Sequence, residues 1–223
     1  MPLSTLEKFL PWTGVVAGGA WLGATLLKRT SPEDIAGGAT AHVINTHLGV
    51  NYGSQACLVI MGIALLFFAT AVRNLLRSGE AREATYSSIA YGGLIVAVAG
   101  VAQMVMWGWA EVNGAADAHD QAAVHVLDYG GYFTWAGMGI GLAAALVAVG
   151  LGGLHNAVLP RWFALVSIVL GVLGALGNAG IPPGGLVTYL LLPLWLGVAA
   201  VVIARRQRIA APTLAGMAPA TPC

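Results

Sequence analysis

Charged residues are the scarcest class in this sequence, at 9% of 223 positions. A soluble globular protein carries about 25%. So few charges cannot cover a water-facing surface, so most of the surface must meet lipid. Cysteine is nearly missing. Cys57 lies in an apolar run and Cys223 is the last residue, which excludes a disulfide framework, and no Cys-x-x-Cys pair exists to hold a metal or redox centre. Basic clusters are also lacking. With a net charge of +1 and no long Lys/Arg stretch, a nucleic-acid partner is excluded. No segment alternates apolar and polar residues over about ten positions, as a membrane barrel strand does. No Ser or Cys sits in a recognisable nucleophile setting, so a triad hydrolase has no support. No stretch remains that would build a soluble domain.

What is present is apolar and long. A spanning helix needs about 20 mainly apolar residues to cross about 30 Å of hydrocarbon. Six segments meet this, at about 9–27, 55–72, 87–109, 127–151, 163–180 and 186–204. The first, Phe9 to Leu27, is 19 residues long, exceeds a signal-peptide core and lacks a small-x-small cleavage site, so it is read as a span. The fold class expected is an all-α integral membrane bundle of about six helices, one unit over 1–208. The Pro- and Ala-rich tail at 209–223 is expected to be disordered.

The basic residues orient this bundle. With the N-terminus inside, Lys8, Arg73, Arg77, Arg82, Arg161, Arg205, Arg206 and Arg208 fall on the cytoplasmic side, and only Lys28 and Arg29 outside. Both termini are then cytoplasmic and the protein is multi-pass in a plasma membrane, with the lipid bilayer as its first partner. Ser31, Pro32, Glu33 and Asp34 form a helix-start signal, so an extra outer-surface helix is expected at about 32–47.

Glycine is abundant, at 31 residues. Gly14 and Gly18, Gly19 and Gly23, and Gly137 and Gly141 are spaced by four, while Gly171, Gly174 and Gly177 are spaced by three. Hydrophobicity does not drive helices together in lipid, so small residues that allow close backbone approach are read as packing seams within the bundle. Pro193 is expected to kink the last span, and Ile181-Pro-Pro-Gly-Gly185 to form a tight hairpin.

Polar chemistry gathers on the outer side. Four of the five histidines lie there (His42, His47, His119 and His125), as do Glu33, Asp34, Glu111, Asp117, Asp120 and Asp128. The histidine spacing fits no metal motif, so no cofactor is expected. A metal or haem site, or a small transporter, using these histidines is one alternative. Asp128 lies about one turn inside an apolar stretch and Glu111 at the edge of another. An acid at membrane depth is costly and often marks function. Asp128, Tyr132 and Trp135 share a stripe, as do Gln103, Trp107 and Glu111, with Trp109 close by. Asp128 and Glu111 are thus candidate proton donors, and Gln103, Trp107, Trp109, Tyr132 and Trp135 candidate ligand-binding residues. An aromatic belt at the interface also accounts for the rings, and a hydrogen bond from Tyr189 or Asn178 would also satisfy Asp128. The function expected is a polar, aromatic-lined pocket in the outer half that binds a small lipidic, hydrophobic ligand, or an accessory subunit. A second alternative is an intramembrane, acid-initiated isoprenoid (terpene) cyclase.

The stretch Gly152-Gly-Leu-His-Asn-Ala-Val-Leu-Pro-Arg-Trp162, followed by a Gly-spaced apolar helix, resembles multi-spanning membrane proteins of actinobacteria. In that group a Leu-Pro-Arg-Trp element opens the penultimate helix. The segment Ser31 to His42 is similar as well. The resemblance implies a six-helix fold in a bacterial plasma membrane, and it implies no activity.

Overall fold

Long apolar runs without water to bind their backbone must close every hydrogen bond internally, which leaves the helix as the available form. The computed structural model describes residues 5–28, 40–80, 83–116, 118, 120–182 and 184–215. For residues 5, 40, 132, 184 and 209–215 only the backbone is described. A short α1 (Thr5–Phe9) passes through a 3-10 turn at Leu10–Trp12 into α2 (Thr13–Leu27). Then follow α3 (Thr40–Thr46), α4 (Leu48–Gly79), α5 (Thr85–Ala110), α6 (Gln121–His155), α7 (Arg161–Asn178) and α8 (Gly184–Ala215). Among the described residues, six helices are long and apolar enough to cross a membrane. They pack in chain order, α2 on α4, α4 on α5, and so on to α8, which returns to α2 and closes the ring.

Two expectations reach past the described residues. The extra helix begins at Thr40 among the described residues. Its expected start at Ser31 to Asp34 lies outside them. The last helix runs past 204 to Ala215, and residues 216–223 of the expected tail lie outside the described residues. Alanine, the best helix former, is frequent there and continues the helix into the tail. Pro160 stands just before α7, whose first residue is Arg161, with extended backbone that a proline favours. Trp162 beside it is exposed.

The ends of the bundle differ in charge. Arg77, Arg161, Arg205, Arg206 and Arg208 lie at the end where α4 finishes and α7 begins. Lys28, Glu111, Asp120 and Asp128 lie at the other, called the Lys28 end below.

Glycines set the helix separations. A Cβ on Gly93 would lie 2.6 Å from the Gly141 carbonyl oxygen and 2.8 Å from the Ala145 nitrogen, so α5 and α6 touch backbone to backbone. Gly14 faces Phe68 and Leu196, Gly18 faces Pro193, Gly23 faces Cys57, and Gly171 faces α6. Gly19 is the exception, since it looks into open space. The spacing thus reads as intramolecular seams with Gly19 left out.

Pro193 leaves a carbonyl unfilled, because a proline at position i has no N–H for the oxygen at i−4. That oxygen belongs to Tyr189. The indole N–H of Trp21 on α2 donates to it at 3.2 Å, while Gly18 lets α2 come against Pro193. Proline and tryptophan, 172 positions apart in the chain, therefore form one unit. Trp21→Phe is expected to destabilise the fold by about 1 kcal/mol, the scale of an interhelical hydrogen bond in a membrane protein. In a Pro193→Ala background, whose alanine N–H can fill the Tyr189 oxygen, the same change should cost less. Unfolding in sodium dodecyl sulfate, run as a double-mutant cycle, measures this, and an unchanged cost across backgrounds would refute the coupling.

Candidate functional site

At the Lys28 end the apolar interior is interrupted. The main core runs through all six spans and includes Phe68, Leu94, Met138, Leu142 and Leu196. A second, smaller apolar cluster, Ala41, Ile44, Val112, Ala115, Ala116 and Val124, joins α3 to the ends of α5 and α6. A layer of polar and charged side chains lies between them.

Local structure aims each member of that layer. The chain leaves α2 at Lys28 with extended backbone, and Ser54 Oγ on α4 donates to the Ala24 carbonyl at 2.8 Å. That bond fixes α4 against the last turn of α2, where the Lys28 side chain departs. Asn51, Ser54 and Gln55 are spaced by three and four, so they lie on one face of α4. All three are buried. Gly108 on α5 makes room for Gln55, because any side chain at Gly108 would collide with its amide. At Glu111 α5 loosens into a π-helical turn, Glu111–Ala115, closed by the Ala116 N–H on the Glu111 oxygen at 3.0 Å. Such turns are rare and frequent at functional sites. Asp120 caps α6 by accepting from the Ala123 N–H at 3.0 Å, which sets Asp128 two turns further in.

The charges meet here. The Lys28 ammonium lies 2.7 Å from Asp128 Oδ1, with side-chain exposures of 36% and 0%. Glu111 is 4% exposed and interacts with both Asp128 and Lys28. One ammonium thus stands against two carboxyl groups. Beside them is a cavity of about 10 Å³ that touches Lys28, Asn51, Ser54, Gln55 and Glu111. Glu111 Oε1 and Gln55 Oε1 are buried there with no hydrogen-bond partner among the described residues.

The residues singled out in the sequence divide on this geometry. Asp128 and Glu111 come together, and the partner bonded to Asp128 at 2.7 Å is Lys28. Tyr189, expected as one partner, donates to the Trp135 carbonyl at 2.8 Å. Trp135 packs edge-on against the Tyr189 ring at 5.1 Å. Trp107 is half-buried over Gly130 and Gly131. Trp109 is exposed and pairs with Tyr52 at 5.5 Å, whose hydroxyl donates to Asn113. Gln103 is exposed. The Tyr132 side chain lies outside the described residues. Trp107, Trp109 and Trp135 do not line the cavity beside Glu111.

His42, His47 and His125 are exposed. His47 Nδ1 contacts the Val43 carbonyl at 3.0 Å, and His125 stacks edge-on with Tyr129 at 4.9 Å. His119 and Asp117 lie outside the described residues. Among the described residues, no three His, Cys, Asp or Glu are grouped to hold a metal ion.

A larger apolar groove of about 650 Å³ runs between α5, α6 and α7, from Tyr86 to Asn178. It shares no lining residue with the acid cavity.

Sequence reasoning missed Lys28, Asn51, Ser54 and Gln55. The signal for the last three was present, as a polar face at the start of an otherwise apolar run. No local signal marked Lys28, whose partner is 100 positions away. No protein-family model, curated protein or solved structure matches this chain.

Proposed function

We propose that this is a multi-pass membrane binding protein whose polar layer at the Lys28 end takes a small ligand, lipidic or ionic, through a positively charged or hydrogen-donating group. The orientation belongs to the same proposal. Its arginine-rich end and both termini face the cytoplasm of a bacterial plasma membrane, following the positive-inside rule. The polar layer then opens outwards.

One observation carries the reading. Two acceptors, Glu111 Oε1 and Gln55 Oε1, are buried at a cavity and lack donors among the described residues. Buried polar atoms in native proteins are almost always satisfied, and each one left unpaired costs about 1–3 kcal/mol. Two buried acceptors without donors call for a hydrogen-donating or positively charged group. An intramembrane ionisable cluster is also costly to keep for structure alone.

Binding is favoured over the acid-initiated cyclase. Such an enzyme needs an acid facing a space that holds a prenyl chain. Asp128 is committed to Lys28, and the cavity at Glu111 has the room of about one water molecule. The cyclase also needs aromatic faces around the acid, and no tryptophan lines the cavity at Glu111.

Glu111 chemistry tests the proposal. A hydrophobic carbodiimide adds to a carboxylic acid that it can reach and leaves a stable acylurea. In native membranes Glu111 is expected to be modified, as read by peptide mass spectrometry, and octylammonium is expected to protect it at least fivefold. Modification only after denaturation would mean a sealed, structural layer and would end the ligand reading.

A further inference from the structure

We propose that the polar layer is a proton site, in which Glu111 and Asp128 share one proton and a single water in the cavity exchanges it with the solution at the Lys28 end. The inference goes beyond the ligand reading, since it describes the layer before a ligand's hydrogen-donating group takes the water's place.

Charge comes first. Glu111 and Asp128 are joined by a side-chain hydrogen bond. Ionised carboxylates only accept, so a bond between two carboxyl groups needs a proton on one of them. Both groups are buried, and two carboxylates sharing one site do not both ionise readily. The pair thus carries one negative charge, and the Lys28 ammonium, 2.7 Å from Asp128 Oδ1, cancels it. The other side chains that touch the cavity are neutral: Ile44 from α3, Asn51, Ser54 and Gln55 from α4, and Val112 beside Glu111. The nearby His42, His47 and His125 are exposed, and Asp120 caps α6 on the Ala123 N–H. The layer is therefore neutral as it stands.

Donors and acceptors come second. The cavity, at about 10 Å³, has room for one water. Two acceptors reach it, Glu111 Oε1 and Gln55 Oε1, neither with a donor among the described residues. Two donor groups line it as well. One is the Lys28 ammonium, which has three N–H groups and gives one to Asp128, and the other is the Asn51 amide. A water donates two hydrogen bonds and accepts two, so one molecule matches all four groups. An ion of either sign would suit only half of them.

Direction comes third. Because Oε1 of Glu111 faces the cavity without a partner among the described residues, its bond to Asp128 runs through Oε2. The Glu111 carboxyl group therefore stands between the water and Asp128. When the water passes a proton to Oε1, the Oε2 proton moves to Asp128, and the water regains a proton from the solution. The reverse steps return one proton, so each cycle balances. The entry lies beside Lys28, whose side chain is 36% exposed. Lys28 fixes the charge that the shared proton balances, and Gln55 and Asn51 hold the water in line.

Infrared spectroscopy of the full chain in detergent tests this. At neutral pH the wild type is expected to show one carboxylic-acid C=O band per chain, which shifts within minutes of transfer to heavy water. This first measurement needs no variant. Glu111→Gln should remove the band, because Asp128 then stays ionised against Lys28. Gln55→Leu removes one acceptor of the water; it should keep the band and slow its shift at least tenfold. Lack of a carboxylic-acid band in the wild type would overturn the inference, as would a band that survives Glu111→Gln. A band that never shifts in the folded protein, or that shifts equally fast in Gln55→Leu, would remove the water route and overturn it too. Octylammonium protection of Glu111 in a chain without the band would leave the ligand site and end the proton site. An exchanging band in a chain whose Glu111 never meets carbodiimide would support the proton site and end the ligand reading.

Discussion

Lys28→Met is expected to destabilise the folded protein by about 3 kcal/mol, and adding Asp128→Leu should recover most of that loss. Asp128 is fully buried and its Oδ1 lies 2.7 Å from the ammonium. Removing one partner of a buried pair leaves the other as an uncompensated charge, which typically costs about 3–5 kcal/mol. The lower end applies here because Lys28 is about one-third exposed, so water reaches one side of the pair. Glu111 makes the loss worse, since it faces the same ammonium and a second carboxyl group. Replacing both partners by apolar groups removes the stranded charge, and pairs treated this way are often neutral or even stabilised. The order expected in detergent unfolding is therefore wild type close to the double variant, with Lys28→Met alone well below both. A Lys28→Met midpoint within error of wild type would mean that the pair behaves as an exposed one, worth about 0–1 kcal/mol. The polar layer would then not be held by it.

The architecture was legible because one property dominates it. A run of apolar residues longer than the bilayer has a single outcome, and six such runs match six long apolar helices among the described residues. The ends were less legible. Apolar content marks where lipid begins, while helix hydrogen bonding continues beyond it, so α4 starts at Leu48 although its hydrophobic stretch starts near Gln55. The site was half visible. Asp128 and Glu111 stood out as acids beside apolar sequence, and they do meet. Lys28 was counted only as a loop charge that orients the chain, because nothing near it in sequence announces a partner on α6. Asn51, Ser54 and Gln55 were passed over at the boundary of a span, where polar residues are ordinary. The aromatic pocket was inferred from helical spacing on single helices. Spacing fixes which residues share a face, but not which neighbour covers that face. Trp135 turned out to meet Tyr189, and Trp109 to meet Tyr52. The hydrogen bond from Trp21 to the carbonyl freed by Pro193 has the same origin. Proline announces the vacancy, while the tertiary fold chooses the donor.

The same substitution on one helix should give opposite results at two glycines. Gly100 and Gly92 both lie in α5. A Cβ at Gly100 would fall inside contact distance of the Met138 backbone, and 2.9 Å from the Gly137 carbonyl carbon. Backbone has no rotamer by which to yield, so Gly100→Ala must push α5 and α6 apart along a seam that also holds Gly93 against Gly141. Overpacking of this kind costs about 1–3 kcal/mol, and the upper figure is expected because the contact is with main chain. A Cβ at Gly92 meets nothing within 4 Å. Gly92→Ala there removes only the conformational freedom of glycine in a helix, and should stabilise by about 0.5–1 kcal/mol. Separation of the seam also reaches the polar layer, because α5 carries Gly108 and leads into Glu111, and α6 carries Asp128. Gly100→Ala should therefore raise the reactivity of Glu111 towards carbodiimide while it lowers the unfolding midpoint, and Gly92→Ala should leave that reactivity unchanged. Two alanine variants with the same sign of stability change would show that α5 and α6 are not locked by backbone contact. The helix spacing that holds Glu111 beside Asp128 would then need another cause.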